Sequence, residues 1–406
     1  MGLFAEQQDD FLQFARGSRG SVDGSEFVPR HLFGSFIEAQ LQGRMGEARA
    51  RGVRYHLHRD RAVAVHRSTQ GGYRVALAGG EEVAVAGVVL AIGALPPRPL
   101  RCVSEQALHS GAYVLDPWQQ EEPRTPPRRI VVIGTGLTAV DALVSASMRW
   151  PHAELIAVSR HGLLPFRHTA SPLPPYPAQA ALNASLLACQ GVAPMLRRVR
   201  QALADPACTD WRAVIDGMRP IHAALWQGLT VAQRRQFLRH LRWLWESARH
   251  RSAPASFDSV RELITSGRLR IYAARVLAVD GRDPLTITLR HRANQHTDTV
   301  VADRIIQATG LDTSVAYASD PLLAQLLRDG LAAPDPLQLG VAATPEGQLL
   351  DAEGHALPQL WGIGALLRGN VWECTAMPEI RVAASTLARR LSEPEYWPTP
   401  VAQTGH

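Results

Sequence analysis

The chain has 406 residues, room for roughly three domains at about 100–200 residues each, which excludes a single small binding module. Its 46% hydrophobic and 20% charged residues are those of an ordinary globular protein, neither disordered nor fibrous. All 43 basic residues are arginine, and the absence of lysine excludes a Walker-type phosphate loop, a kinase and Schiff-base or pyridoxal chemistry, while the net charge of +6 is dispersed among interspersed acids rather than gathered into a nucleic-acid surface.

The first residues (Phe4, Glu6, Asp9, Asp10, Phe11) are acidic and Phe-rich, unlike a signal peptide. Helical segments and one short strand are expected up to about His58, with Phe33, Phe36, Ile37 and Leu41 on one helix face. Then come the strand Arg61-Ala62-Val63-Ala64-Val65, a turn at Gly71-Gly72, the alternating run Tyr73–Leu77, Val83–Val85, and an apolar strand Val88-Val89-Leu90-Ala91 closing in Ile92-Gly93. This is a β-meander feeding one buried strand.

A linker rich in Pro and Arg (Pro123, Arg124, Pro126, Pro127, Arg128) leads into the strand Arg129-Ile130-Val131-Val132-Ile133. Gly134-Thr135-Gly136-Leu137-Thr138-Ala139 follows, then an amphipathic helix with Leu137, Val140 and Val144 on one face, then the strand Leu155–Ser159. That is G-x-G-x-x-A in strand–turn–helix context, the signature of dinucleotide binding. Gly134 allows the tight turn, Gly136 lets the backbone approach a pyrophosphate, and Ala139 keeps helix and strand close. An NAD site usually carries Asp or Glu at the end of the second strand, whereas this chain has Ser159-Arg160-His161, a hydroxyl and a cation suited to a 2′-phosphate. NADPH is therefore the expected nucleotide, held by Gly134, Thr135, Gly136, Leu137, Thr138, Ala139, Ser159 and Arg160.

A helical insertion is expected over about 178–266. Its best helix is near Val231–His250, with Phe237, Leu241, Leu244 and Ala248 on one face and Arg235, Arg239, Arg242 and Arg249 on the other. A second meander follows: Arg275–Val279, a turn at Gly281, Leu285–Leu289, Val300–Ala302, and Ile305–Ala308 closing in Thr309-Gly310. Two meanders of one design imply two domains of one design. The first copy lacks the strand and glycine turn from which such a sheet builds outward, so its first βαβ unit is expected to be absent. The C-terminal part reads as a strand Leu360-Trp361-Gly362-Ile363-Gly364, a loop Arg368–Glu373, and a helix opened by Met377-Pro378-Glu379 with Ile380, Ala384, Leu387 and Leu391 buried.

Other chemistries have little support. Cys102, Cys189, Cys208 and Cys374 are scattered with no C-x-x-C, so they read as incidental or buried thiols. His56 and His58 alternate on a strand without a third ligand, so no metal site is expected, and His161, His168, His291 and His296 read as surface residues. No window approaches the roughly 18 apolar residues of a membrane span, and a cytoplasmic protein without membrane or nucleic-acid partners is expected.

Two units, each closing on an Ala-Thr-Gly-like triplet (Ala91-Ile92-Gly93 and Ala308-Thr309-Gly310), resemble the two-dinucleotide-binding flavoproteins. The specific resemblance is to the bacterial FAD/NAD(P)-binding protein family that includes relatives of FAD-dependent urate hydroxylase and aspartate N-monooxygenase. It is carried by Phe27-Val28-Pro29-Arg30 with Phe33-Gly34, Asp116-Pro117-Trp118, Ile133 to Thr138, Ser159 to Pro165, Asp335-Pro336-Leu337, and Trp372-Glu373 through Pro378-Glu379-Ile380-Arg381.

The resemblance implies an α/β fold of two Rossmann-like dinucleotide-binding domains, each with a β-meander, plus the helical insertion. Residues 1–122 would be a partial FAD-binding domain, 123–310 an NADPH-binding domain, and 311–406 the C-terminal part of the FAD-binding domain. Gly362, Gly364, Pro378 and Glu379 would sit against the flavin. Trp372 and Glu373 are candidates for its neighbourhood, or simply a packed Trp beside a surface Glu. The family's G-x-G-x-x-G on a first FAD strand is missing here, which puts FAD binding in question.

The expected function is an NADPH-dependent FAD oxidoreductase, a monooxygenase hydroxylating a small polar or anionic substrate with the chemistry resident in the cofactor, so no catalytic residue is singled out. The alternative is a truncated, non-catalytic NADPH-binding or partner-binding protein. Substrate identity and oligomeric state are not written in the sequence.

Overall fold

The computed structural model describes residues 2–4, 7, 9–119, 122–310 and 312–393. The expected third domain segment reaches its end outside them, as do Glu6 and Leu311. Two compact units are present. The first holds the described residues of 1–94, 222–227 and 313–406, and the second those of 95–221 and 228–312.

The first unit begins with helices α1 (Asp10–Arg19) and α2 (Arg30–Ala50). Phe36 is fully buried, with the rings of Phe11, Phe14 and Phe33 around it at centroid distances of 5.5, 5.5 and 5.6 Å. The expected apolar face of α2 is only half used: Phe33 and Phe36 pack, while Ile37 and Leu41 are exposed. No strand occurs among the described residues before His58, contrary to expectation. The meander follows as β1 (Ala62–Arg67), β2 (Tyr73–Leu77) and β3 (Glu82–Val85), an antiparallel sheet, and leads to β4 (Val88–Leu90).

In the second unit, α3 (Glu105–Leu108), β5 (Tyr113–Val114), β6 (Arg129–Ile133), α4 (Leu137–Arg149) and β7 (Glu154–Ser159) precede the insertion. The insertion is helical: α5 (Gln179–Leu187), α6 (Val192–Leu203), α7 (Trp211–Gly217), α8 (His222–Gln227), α9 (Val231–His240), α10 (Arg242–Arg249) and α11 (Pro254–Thr265). The single helix expected over Val231–His250 is broken at Leu241, whose φ is −121°. The Trp243 indole N–H donates to the His240 carbonyl (2.9 Å), the acceptor that a continuous helix would offer to Leu244. α8 belongs to the first unit, although α7 and α9 belong to the second.

The second meander is β8 (Leu269–Gly281), β9 (Leu285–His291), β10 (Thr297–Ala302) and β11 (Arg304–Gln307). β8 starts earlier than expected, because no Gly or Pro interrupts the chain between Leu269 and Gly281. Its first half pairs in parallel with β7 and its second half antiparallel with β9. The resulting seven-stranded sheet has the order β10-β9-β8-β7-β6-β11-β5, with β6 between β7 and β11, both parallel to it. Ile130, Val131, Val132, Leu155, Ile305 and Ile306 are all about fully buried, as central parallel strands covered on both faces require, and each stabilises by roughly 1.5–3 kcal/mol. Val140 and Leu143 of α4 meet Val260 and Leu263 of α11 in the same core, so the buried face of α4 is rotated from the expected Leu137 and Val144, which are only half-buried.

Residues 95–119 pack with the second unit, so the structural division falls at 94 rather than at 122. Gln307, itself buried, accepts from the Leu100 amide and donates to the Arg98 carbonyl, and the Val279 amide donates to the Cys102 carbonyl.

The first unit resumes with α12 (Pro321–Arg328), β12 (Gln348–Leu350), β13 (Ala356–Gly362) and α13 (Met377–Leu391). β13 lies parallel to β4 and antiparallel to β12. The Gln325 side chain accepts from the Val65 amide (2.8 Å) and donates to its carbonyl (2.9 Å), clamping α12 onto β1. Of the four expected core residues of α13 only Leu387 is buried, and Ala384 is exposed.

Candidate functional site

The second unit presents the glycine turn between β6 and α4. Gly134 has φ +129°, and a Cβ there would overlap the Ala308 carbonyl at the end of β11. The turn therefore admits only glycine. A Cβ on Gly136 would meet nothing within 4 Å, and Gly136 is the N-cap of α4 with no side-chain hydrogen bond. The start of α4 thus carries neither a side chain nor a side-chain cap at Gly136, the arrangement that lets a pyrophosphate approach. Ala139 is fully buried beneath, while Leu137 and Thr138 are half-buried.

Thr135 and Ser159 have a tying role. Thr135 is buried, and its hydroxyl donates to the Leu163 carbonyl (2.7 Å). A hydroxyl has one proton, so the 2.8 Å contact between the Thr135 and Ser159 hydroxyls uses the Ser159 proton. The Ser159 oxygen also accepts from the Gly162 amide (3.0 Å). These two residues lock the glycine turn to the loop after β7. Arg160, next along, is exposed and forms no ion pair among the described residues. His161 is not the surface residue expected: its ring stacks on Trp243 with centroids 4.3 Å apart and accepts from the Arg292 guanidinium. Burial, then Arg292 and Arg160, hold its pKa below the usual value.

The chain has the fold of the two-dinucleotide-binding flavoproteins. Among solved structures it is similar to L-lysine 6-monooxygenase from Pseudomonas syringae, at 16% identity and a TM-score of 0.56 over 95% of this chain and 80% of that one. It is also similar to the reduced form of ornithine hydroxylase from Pseudomonas aeruginosa, at 16% identity and a TM-score of 0.50 over 94% and 85%. Residues 1–95 match the profile of a family described as FAD-NAD(P)-binding. No curated protein matches the chain by sequence.

The first unit holds the other expected cofactor residues, Gly362, Gly364, Trp372, Glu373, Pro378 and Glu379. β4 and β13 end side by side, with Leu90 opposite Gly362 and the Ile363 amide donating to the Leu90 carbonyl (3.1 Å). Gly364, at φ +76° with nothing within 4 Å of a Cβ, opens a short 3-10 turn Gly364–Leu367. α13 has no side-chain cap at Ala376, Pro378 in its first turn and Glu379 beside it. Its first amides can therefore receive electron-rich oxygens of a ring. Glu373 is buried rather than at the surface, at 6% exposure, as is Trp372. The Cys374 thiol is pushed up to about 12, chiefly by burial.

The two units differ at one edge. β11 lies between β6 and β5, whereas β4 pairs only with β13 among the described residues. Ile306 is fully buried, but its counterpart Val89 is 39% exposed. Gly364, with open space where a Cβ would stand, and the uncapped start of α13 are the features of the first unit that a flavin ring could use. The described residues beside β4 offer no glycine turn of the kind that β6 gives β11.

Sequence reasoning missed Trp226. Its indole stacks on Trp372 with centroids 5.1 Å apart and donates to the Gly369 carbonyl (2.8 Å), while Arg368 covers the Trp372 ring at 4.5 Å. Trp226 lies 143 residues from Gly369, so no spacing could mark it. Arg292 and Trp243 were missed for the same reason. Among the described residues no group of three His, Cys, Asp or Glu is placed to hold a metal, and no helix is long and apolar enough to cross a membrane. The rings of His56 and His58 are 6.5 Å apart.

Proposed function

We propose that the chain is an NADPH-dependent FAD oxidoreductase acting as a monooxygenase on a small polar or anionic substrate. The observation that carries this reading is the β6–α4 turn, in which Gly134 is sterically obligatory and Gly136 opens onto the uncapped end of α4. It occurs in a chain whose first 95 residues match an FAD-NAD(P)-binding profile. Gly134 to Ala139 would cradle the NADPH pyrophosphate through α4 amides, with Thr135 and Ser159 fixing the loop and Arg160 meeting the 2′-phosphate. Gly362, Gly364, Pro378 and Glu379 would border the flavin ring, and Trp372 and Glu373 would form the buried wall that keeps water away. When bound, the flavin accepts hydride from NADPH and activates dioxygen. Both structural neighbours are named for hydroxylating an amino acid, in keeping with a small polar substrate here.

Oxygen uptake tests this reading. With FAD and NADPH added to the purified chain, consumption of dioxygen should be stimulated by an amino acid or a similar small polar compound, with hydroxylated product found by mass spectrometry. NADPH oxidation without any hydroxylated product, across such a panel, would reduce the reading to a plain reductase. The exposed edge of β4 favours a second reading, an NADPH-binding protein without flavin turnover. Tight NADPH binding with neither flavin retention nor oxygen uptake would establish that one.

A further inference from the structure

The turn after β7 and the hairpin between β9 and β10 bring together a cationic group that pairs with no acid. Arg160 and Arg292 both form no ion pair among the described residues, in a chain where Arg129, Arg167 and Arg251 each engage a carboxylate. The nearest acid on the hairpin, Asp298, is held by His291 at 3.1 Å. Both guanidiniums are permanently charged, and after burial both lower the pKa of His161, whose ring Arg292 contacts and whose chain neighbour is Arg160. Like charges gathered without a counter-charge are unfavourable unless an anion relieves them.

Arg292 and His161 are held in place by their surroundings, while Arg160 is an exposed side chain free to close on a bound anion. The Arg292 amide donates to the Ala273 carbonyl (2.8 Å), and its carbonyl accepts from the Gln295 side chain (3.0 Å). The Arg292 guanidinium donates to Nδ1 of His161, which leaves the ring proton on Nε2 as a further donor. Trp243 holds the other dimension of the ring by stacking at 13°. The hydroxyl of Ser159 is meanwhile committed to Thr135, so the end of β7 needs other donors for an anion.

We propose that Arg292 and Arg160 form a two-arginine clamp for a phosphomonoester dianion, with His161 as the positioning residue that aims Arg292. The inference rests on the NADPH reading for the identity of that dianion, the 2′-phosphate, since the end of the second strand of a βαβ unit is where the adenosine ribose lies. The sequence nominates only Ser159 and Arg160 there. Arg292 therefore becomes a specificity-determining residue, and it comes from the meander rather than from the βαβ unit.

The test uses the full chain and two probes, adenosine 2′,5′-bisphosphate and adenosine 5′-monophosphate, titrated calorimetrically at low salt. The wild type should bind the bisphosphate at least about tenfold more tightly than the monophosphate. R292Q should erase roughly tenfold to a hundredfold of that preference while leaving the monophosphate affinity unchanged, the effect of losing one charge-assisted contact. R292K, which keeps the charge and loses the fork, should fall between. H161F keeps the stack on Trp243 but removes the acceptor, and it should lower the preference without weakening the monophosphate. A merely structural role for either residue would weaken both probes together. No preference in the wild type, no binding of either probe, or an equal loss of both in R292Q would overturn the clamp. NADPH is titrated in parallel. A retained bisphosphate preference without NADPH binding would uphold the clamp and count against the proposed function instead.

Discussion

Gly134 passes the carbonyl of Ala308 so closely that no side chain fits between the first turn of the dinucleotide fold and the end of β11. Its φ of +129° adds a second bar to any other residue. G134A should lose roughly 2–5 kcal/mol from backbone strain and overlap together. G136A meets open space at φ −77° and should change stability by less than about 0.5 kcal/mol, yet weaken NADPH because its Cβ stands where the pyrophosphate approaches. Thermal midpoints and NADPH titrations of the two variants check this. An unchanged NADPH affinity in G136A would count against a phosphate at that turn.

The first unit depends on a clamp of a different kind. Gln325 satisfies both backbone groups of Val65 across 260 residues of chain. Q325L keeps the volume but leaves a buried donor and acceptor without partners, at about 1–3 kcal/mol each. Unfolding midpoints should fall accordingly, and Q325E, which keeps an acceptor only, should not restore the wild-type value.

His161 gives the fold an acid sensitivity. Its folded pKa lies below the usual value of about 6.5, so the unfolded chain takes up a proton that the folded chain resists. Stability should therefore be indifferent to this group above about pH 7.5 and decline as pH falls through the unfolded value. H161Q should remove that part of the decline. Denaturant midpoints of both proteins between pH 8 and 5.5 report it, and parallel curves throughout would contradict the stated surroundings of the ring.

Cys374 should be chemically silent. Its thiol is buried and shifted up to about 12, with Arg368 only partly opposing the effect. Iodoacetamide at pH 8 should label the partly exposed Cys189 and Cys208 in the native protein and reach Cys374 only after denaturation. Mass spectrometry of the peptides decides it, and equal native labelling would mean that the loop before α13 opens readily.

What could be read from the residues was local. Arg129–Ile133 and Tyr73–Leu77 stand as strands at their sequence boundaries, because alternating or continuous apolar runs end there in glycine turns. Arg160, beside a G-x-G-x-x-A unit, marks the end of β7, where the proposed 2′-phosphate site lies. The partners there, Arg292 and Trp243, lie far along the chain from His161 and leave no periodic trace. Helical spacing also says which residues share a face but not what covers it: Ile37, Leu41 and Ala384 share theirs with buried residues and remain exposed. The break at Leu241, where the Trp243 indole takes the His240 carbonyl, leaves no mark in a pattern of apolar positions.

The visible absorption spectrum of the full chain tests the central claim most directly. FAD is added, excess is removed, and NADPH is introduced without oxygen. A retained flavin band that bleaches with NADPH, and more readily than with NADH, is the predicted result. A folded protein that leaves the column colourless would contradict a working flavoprotein, and would direct attention to nucleotide binding at the β6–α4 turn alone.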